Sequence, residues 1–94
     1  MDSEQFNRIS KALADPQRFA ILERIAAAGD GELPCKAIVA AFDVSQATIS
    51  HHLKELTLAG LIDGRKEAQL MYLTVRRSTV AAYQRELARR VRLK

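Results

Sequence analysis

The residues best suited to chemistry in this chain lie between Ser45 and Leu58. Helical spacing puts Ala47, Ser50, His51, Lys54 and Leu58 on one side, with Gln46 at the N-terminal tip, and Ile49, Leu53, Leu56 and Gly60 on the other. The polar side carries short hydrogen-bonding groups and no acid. A glutamine amide can pair with an adenine edge through two bonds, and an alanine methyl can touch a thymine methyl. Serine, threonine and histidine can donate to bases or phosphates, while Lys54 offers charge to a backbone. Ser45 has the side chain of an N-cap, and the free N–H groups of a helix start can hold a phosphate. Further along, Arg65, Lys66 and Gln69 sit where a hairpin tip is expected, placed to reach a flanking minor groove or backbone. The same residues would also suit a merely solvated helix face.

Reaction centres are poorly represented. The chain has no Gly-rich phosphate loop, no nucleophile elbow and no H-E-x-x-H, and its 11 acids are scattered rather than paired in apolar stretches. This excludes the common hydrolase and nucleotide-binding designs and argues against an enzyme. His51, His52 and Glu55 have spacings that would let them share a metal, but a DNA contact for His51 and a flanking place for His52 account for them more simply. Cys35 is the single cysteine, so no internal disulfide framework exists. Its simplest role is a small apolar residue. A thiol sensor is the alternative, favoured by Lys36 and the nearby helix start.

The elements that must position these residues follow from periodicity. A first helix is expected over about Glu4 to Ala14, capped by Ser3, with Phe6, Ile9 and Leu13 on one stripe. Asp15-Pro16 starts a second helix, because Asp accepts from free first-turn N–H groups and Pro at the first position loses no bond. Phe19, Ile21, Leu22, Ile25 and Ala26 form its apolar face, and Gly29-Asp30-Gly31 ends it. Pro34 is expected to open a short third helix with Ile38, Val39 and Phe42. A fourth runs over about Gln46 to Leu58 and closes at Gly60. The period then changes: Leu61–Lys66 and Gln69–Val75 read as strands around Glu67-Ala68, a turn without Gly or Asn. A last helix is expected over about Ser78 to Arg92, with Val80, Tyr83 or Gln84, Leu87 and Val91 as its stripe. The whole is mainly α with a small β-hairpin wing, in the order α-α-α-α-β-β-α. It is a winged helix-turn-helix, whose second paired helix lies in a DNA major groove.

Two segments carry a resemblance. Val44-Ser45-Gln46-Ala47-Thr48-Ile49-Ser50-His51-His52-Leu53-Lys54, followed by Leu56 and Ala59-Gly60-Leu61, resembles the recognition-helix signature of the ArsR/SmtB repressors. Lys11-Ala12-Leu13-Ala14-Asp15-Pro16-Gln17-Arg18 is a second match, in the right order and at the right distance. The resemblance spans about residues 6 to 75. It implies a homodimeric transcriptional regulator, usually a repressor released by a metal ion or another signal. It also implies that Gln46, Ala47, Ser50 and His51 contact the groove, while Ser45 and Thr48 cap the helix or touch phosphate. The family's metal positions are differently occupied. Pro34 and Lys36 stand where the arsenic-type site has its two cysteines. Val75-Arg76, Ser78, Arg89 and Arg92 stand in the region of the zinc-type ligands, and arginine cannot ligate zinc. No metal and no cofactor are therefore expected, and the releasing signal is a non-metal or an unknown one.

Composition sets the remaining bounds. With 94 residues, 48% apolar and 28% charged, the chain is one ordinary globular domain spanning 1–94. No apolar run approaches a membrane span, and Met1-Asp2-Ser3-Glu4 is acidic where a signal peptide would be basic, so a cytoplasmic place is expected. The net charge of +4 is concentrated at one end. Arg76, Arg77, Arg85, Arg89, Arg90, Arg92 and Lys94 face a single acid, Glu86, and the rest of the chain is slightly acidic. Those arginines could steer the protein to DNA, form ion pairs across an interface, or simply be solvated. The first and last helices have apolar stripes suited to a two-fold homodimer interface. Such a dimer would present two reading helices to an inverted-repeat operator in double-stranded DNA. The competing view is a winged-helix protein-interaction module without specific DNA binding, prompted by the Glu67-Ala68-Gln69 turn, where the family often has Gly.

Overall fold

The computed structural model describes residues 1–93. Its elements are α1 (Ser3–Ala14), α2 (Pro16–Ala26), β1 (Leu33–Pro34), α3 (Cys35–Ala41), α4 (Gln46–Leu58), β2 (Ile62–Glu67), β3 (Leu70–Val75) and α5 (Arg77–Arg90). The architecture is the expected mainly α fold with a hairpin wing. The helix-turn-helix is α3–α4, and α2 lies against both.

Local chemistry explains most boundaries. Asp15 caps α2 by accepting from the Arg18 N–H at 3.0 Å, ahead of Pro16 at the first helical position. Ser45 caps α4 by accepting from Thr48 N–H at 3.1 Å. At the other end of α4, Gly60 (φ +78°) lets the Leu61 N–H return to Leu56 O at 3.0 Å and its own N–H to Thr57 O at 3.0 Å. That closure needs a left-handed residue, which glycine adopts without a Cβ clash. It buries Leu61 beside Leu56 and turns the chain into the wing.

Three boundaries differ from expectation. The cap of α1 is Asp2, which accepts from Gln5 N–H at 2.8 Å, rather than Ser3, the first helical residue. Pro34 also serves as a strand residue ahead of α3. It pairs with Tyr72, and Leu33 with Leu73, adding a third strand in the order β1-β3-β2. Pro34 still opens α3, as its N-cap, with Cys35 the first helical residue. The strand itself is beyond what periodicity predicts, since two residues are too few to show alternation. Last, α5 ends at Arg90, and Arg92 takes a φ of +55° instead of continuing the helix. Lys94, part of the basic cluster and of the expected 1–94 domain, lies outside the described residues.

The core is built from Ile9, Ile21, Ile25, Ile38, Leu56 and Ile62 at its centre, each at most 1% exposed. Ile9 of α1 is thus fully buried within this chain, not reserved for a partner. Phe19, expected on the apolar face of α2, is 41% exposed, and Val91, expected on the last stripe, is 63% exposed.

The wing forms despite its turn sequence. Glu67 pairs with Leu70, leaving Ala68 and Gln69 as a two-residue loop with Ala68 at φ +54°. Positive φ costs a non-glycine residue about 1–2 kcal/mol. Ala68→Gly is therefore expected to raise folding stability by about 0.5–1 kcal/mol after glycine's larger entropy loss. A higher urea midpoint with an unchanged slope checks this, and an unchanged or lower midpoint contradicts it.

Candidate nucleic-acid interface

The N-terminus of α4 and the wing tip converge on one surface. Gln46, Ala47, Ser50, His51 and Lys54 are all exposed on α4, and Leu58 continues that side. Gln46 and Gln69 line a common groove of about 420 Å³ with Cys35, Lys36, Val39 and Met71. Two of the expected reading residues, 23 positions apart, are therefore brought together, one from the helix and one from the wing. Lys66 is exposed on β2, paired with Met71 of β3.

Thr48 and Ser45 are spent partly on the helix itself. Their hydroxyls lie 2.9 Å apart, and Thr48 N–H donates to Ser45 Oγ. Both hydroxyls stay at the N-terminal rim of α4, where unpaired N–H groups favour an anion.

Arg65 is held within the protein. Its guanidinium donates to both Glu32 oxygens, with NH2 to Oε1 at 2.8 Å, and to Glu67 Oε2 at 2.8 Å, while its Cζ lies 4.9 Å from the Tyr72 ring centre. Hydrogen bonding by Arg65 pulls the Glu32 carboxyl below its ordinary value. Arg65 thus ties the wing to the loop before β1. A phosphate would have to compete with two carboxylates for it.

His52 is the residue that periodicity misplaced. Expected at the flank, it lies on the buried line Ile49–His52–Leu56, and Leu53 is only half-buried. Arg18 Nε–H donates to Nδ1 at 3.3 Å, and Nε2 lies 2.9 Å from Gln17 Oε1. With both ring nitrogens so engaged, His52 is no free member of a trio with His51 and Glu55. Its burial could not be read from side-chain type, because both partners are more than 30 positions away.

Burial lowers the His52 pKa, with Arg18 and His51 adding repulsion and Asp15 opposing it. The folded protein therefore prefers the neutral ring. This contribution is complete above the unfolded value of about 6.5 and is lost as pH falls towards the lowered folded value. A urea midpoint that declines between pH 7.5 and 5.5 in the native chain but declines less in His52→Gln is the expected result. Parallel declines would remove His52 as the cause.

Cys35 is half-buried, and burial pushes its thiol up from the ordinary cysteine value. This runs against the expectation that Lys36 and the helix start favour thiolate: desolvation outweighs them.

Four arginines at this end, Arg76, Arg77, Arg89 and Arg90, are engaged within their own chain. Arg76 pairs with Asp63 at 3.2 Å, and Arg77 donates to Ala26 O at the end of α2 at 3.4 Å and to Gly29 O just beyond it at 3.1 Å. Arg89 and Arg90 both donate to Glu86, which is buried and whose carboxyl is held below its ordinary value chiefly by Arg89. Arg90 also donates to Ser3 Oγ at 3.0 Å and lies 4.2 Å from the Phe6 ring centre. Phe6 stacks on Tyr83 at 5.0 Å, and the Tyr83 hydroxyl meets Ser10 Oγ at 2.8 Å. These contacts fasten α5 to α1. Among the described residues, no helix is long and apolar enough to cross a membrane.

An exposed polar helix beside a β-wing, mounted on a three-helix core, defines a winged helix-turn-helix DNA-binding regulator, a class without enzymatic activity. A family model described as "Helix-turn-helix domain" matches residues 13–65. The chain is 32% identical over 69 residues to the transcriptional repressor SdpR of Bacillus subtilis, covering 73% of each chain. The solved structure of the ArsR family transcriptional regulator RHA00566 superposes with a TM-score of 0.84 at 27% identity, over 99% of this chain and 93% of that one. The homodimeric winged helix-turn-helix domain Mb0332 of Mycobacterium bovis, a possible ArsR-family regulator, gives a TM-score of 0.73 at 28% identity, over 90% and 77% of the two chains. This chain belongs to the ArsR/SmtB family of winged helix-turn-helix transcriptional regulators.

Proposed function

We propose that this protein is a homodimeric repressor that binds an inverted-repeat operator. The base-reading set is Gln46, Ala47, Ser50 and His51. Ser45, Thr48 and Lys54 meet phosphates, and Lys66 and Gln69 extend the contact from the wing. The observation that carries this reading is the shared exposed surface of Gln46 and Gln69, where a helix start and a wing tip meet. SdpR, a named repressor, supports the direction of regulation.

Dimerisation rests on apolar surface that this chain leaves uncovered. Phe19, Leu87, Val91 and Leu93 are 41–70% exposed. Phe19 also lines a groove of about 320 Å³ between α2 and α5, with Leu13, Leu22, Val80 and Ala81. The homodimeric state of Mb0332 supports the same arrangement. The releasing signal is one other than a metal at the family's two sites, since Pro34, Lys36, Arg89 and Arg92 supply no ligand set there.

One observation favours the interaction-module reading: Arg65, one of the three expected wing contacts, is occupied by Glu32 and Glu67. Binding to duplex DNA from the protein's own promoter region, at two salt concentrations, separates the two. A repressor shows specific affinity that falls steeply with salt. No binding, or a light-scattering mass near 10.5 kDa rather than twice that, contradicts the proposal.

A further inference from the structure

The inner face of α4 carries one polar side chain between its apolar ones. His52 is 5% exposed, between Ile49 at 1% and Leu56 at 0%. An apolar residue there would cost no desolvation, so the histidine's directed bonds are what distinguish it. Arg18 can only donate to Nδ1, which places the proton on Nε2, and Nε2 then donates to Gln17 Oε1. Donor and acceptor stand on opposite edges of one rigid ring. Their partners are two successive residues in the first turn of α2, a turn itself fixed by the Asp15 cap.

Apolar packing is non-directional and lets one helix turn slightly on another. Two hydrogen bonds from one ring do not, because each weakens steeply as its angle opens. A shift of one residue along α4 is a rotation of 100° and a rise of about 1.5 Å, and it would break both. His52 directly follows Ser50 and His51, so the azimuth it fixes is the azimuth of the outward face.

We propose that the juxtaposition of His52 with Gln17 and Arg18 sets the rotation of the recognition helix on α2, making His52 a positioning residue for operator reading. This rests on the proposed DNA-binding role of α4. The charged and titratable groups facing the ring are Asp15 and Arg18 from α2 and His51 from α4. Protonation would turn Nδ1 into a donor facing the Arg18 guanidinium, breaking one of the two bonds, with the Asp15 carboxylate only partly compensating. Acid should therefore blur specific reading, and His51→Ala separates this effect from the other imidazole of α4.

The test is fluorescence anisotropy with a duplex selected from a random pool and a scrambled duplex, at pH 7.5 and 5.5. The proteins are the native chain, His51→Ala, His52→Leu and His52→Gln, each also followed by thermal melting. His52→Leu should lose about tenfold in specific affinity, as two directed bonds go. It should keep its affinity for the scrambled duplex and its cooperative melt. His52→Gln, whose amide has a donor and an acceptor, should recover most of the loss. Acid should lower the ratio of specific to non-specific affinity in the native chain and in His51→Ala, but not in His52→Leu. A native ratio in both His52 variants overturns the proposal, as does a parallel loss of both affinities with the melt. If the native chain itself does not discriminate the duplexes, the base-reading role of α4 fails first, which is a distinct outcome.

Discussion

Ile49→Ala is expected to cost about 2–5 kcal/mol of folding stability, the range for removing a large aliphatic side chain from a packed core. Ile49 is 1% exposed and joins α4 to the same core as Ile21, Ile25 and Ile38. A domain of this size has only about 5–15 kcal/mol to lose, so a single such cavity empties much of the margin. Operator binding would fall with it, because the recognition helix has no independent stability at 13 residues. The control is on the other side of the same helix. Leu58 is 51% exposed, and Leu58→Ala should change stability by no more than about 0.5 kcal/mol. Urea unfolding of both variants checks the pair. Similar losses in both would mean that α4 is not oriented as described.

The second large effect falls on function without touching the fold. Gln46→Ala or His51→Ala should weaken operator binding by about 1–3 kcal/mol, the worth of a good base contact. Neither side chain packs in the core, so circular dichroism and melting temperature should stay as they are in the native chain. The affinity for unrelated duplex should also change little, because that term comes from charge on the phosphates. A titration showing native operator affinity for both variants would remove these two residues from the reading set.

How far the chain could be read depended on the range of the interactions involved. Signals carried by neighbouring residues were readable: Asp15-Pro16, Ser45 and Gly60 fixed the ends of α2 and α4, because capping is settled within four residues. The run of apolar, aromatic and β-branched residues from Leu70 to Val75 gave the second wing strand for the same reason. What periodicity could not supply were contacts made across the fold. His52 looks like a surface histidine until Gln17 and Arg18 arrive from another helix. Arg65 looks like a free cation until Glu32 does. The two-residue β1 exists only because β3 pairs with it. The basic last helix is the clearest case. Read along the chain, it resembles a polyanion-binding tail. In three dimensions Arg76, Arg77, Arg89 and Arg90 are fastened to Asp63, the α2 terminus and Glu86. Most of that charge is used to hold α5 in place, and the proposed reading surface is a nearly neutral helix face and its wing.

That division bears on the whole account. If the operator is read by short polar groups on α4 and not by bulk charge, the protein must prefer particular sequences. If two copies present α4 symmetrically, those sequences must be paired. Selection of bound duplexes from a random DNA pool tests both at once. The expected result is an enriched inverted repeat with half-site centres about 10–10.5 base pairs, or a multiple of that, apart. A pool that stays random after selection, or that converges on one unsymmetrical half-site, would contradict the account.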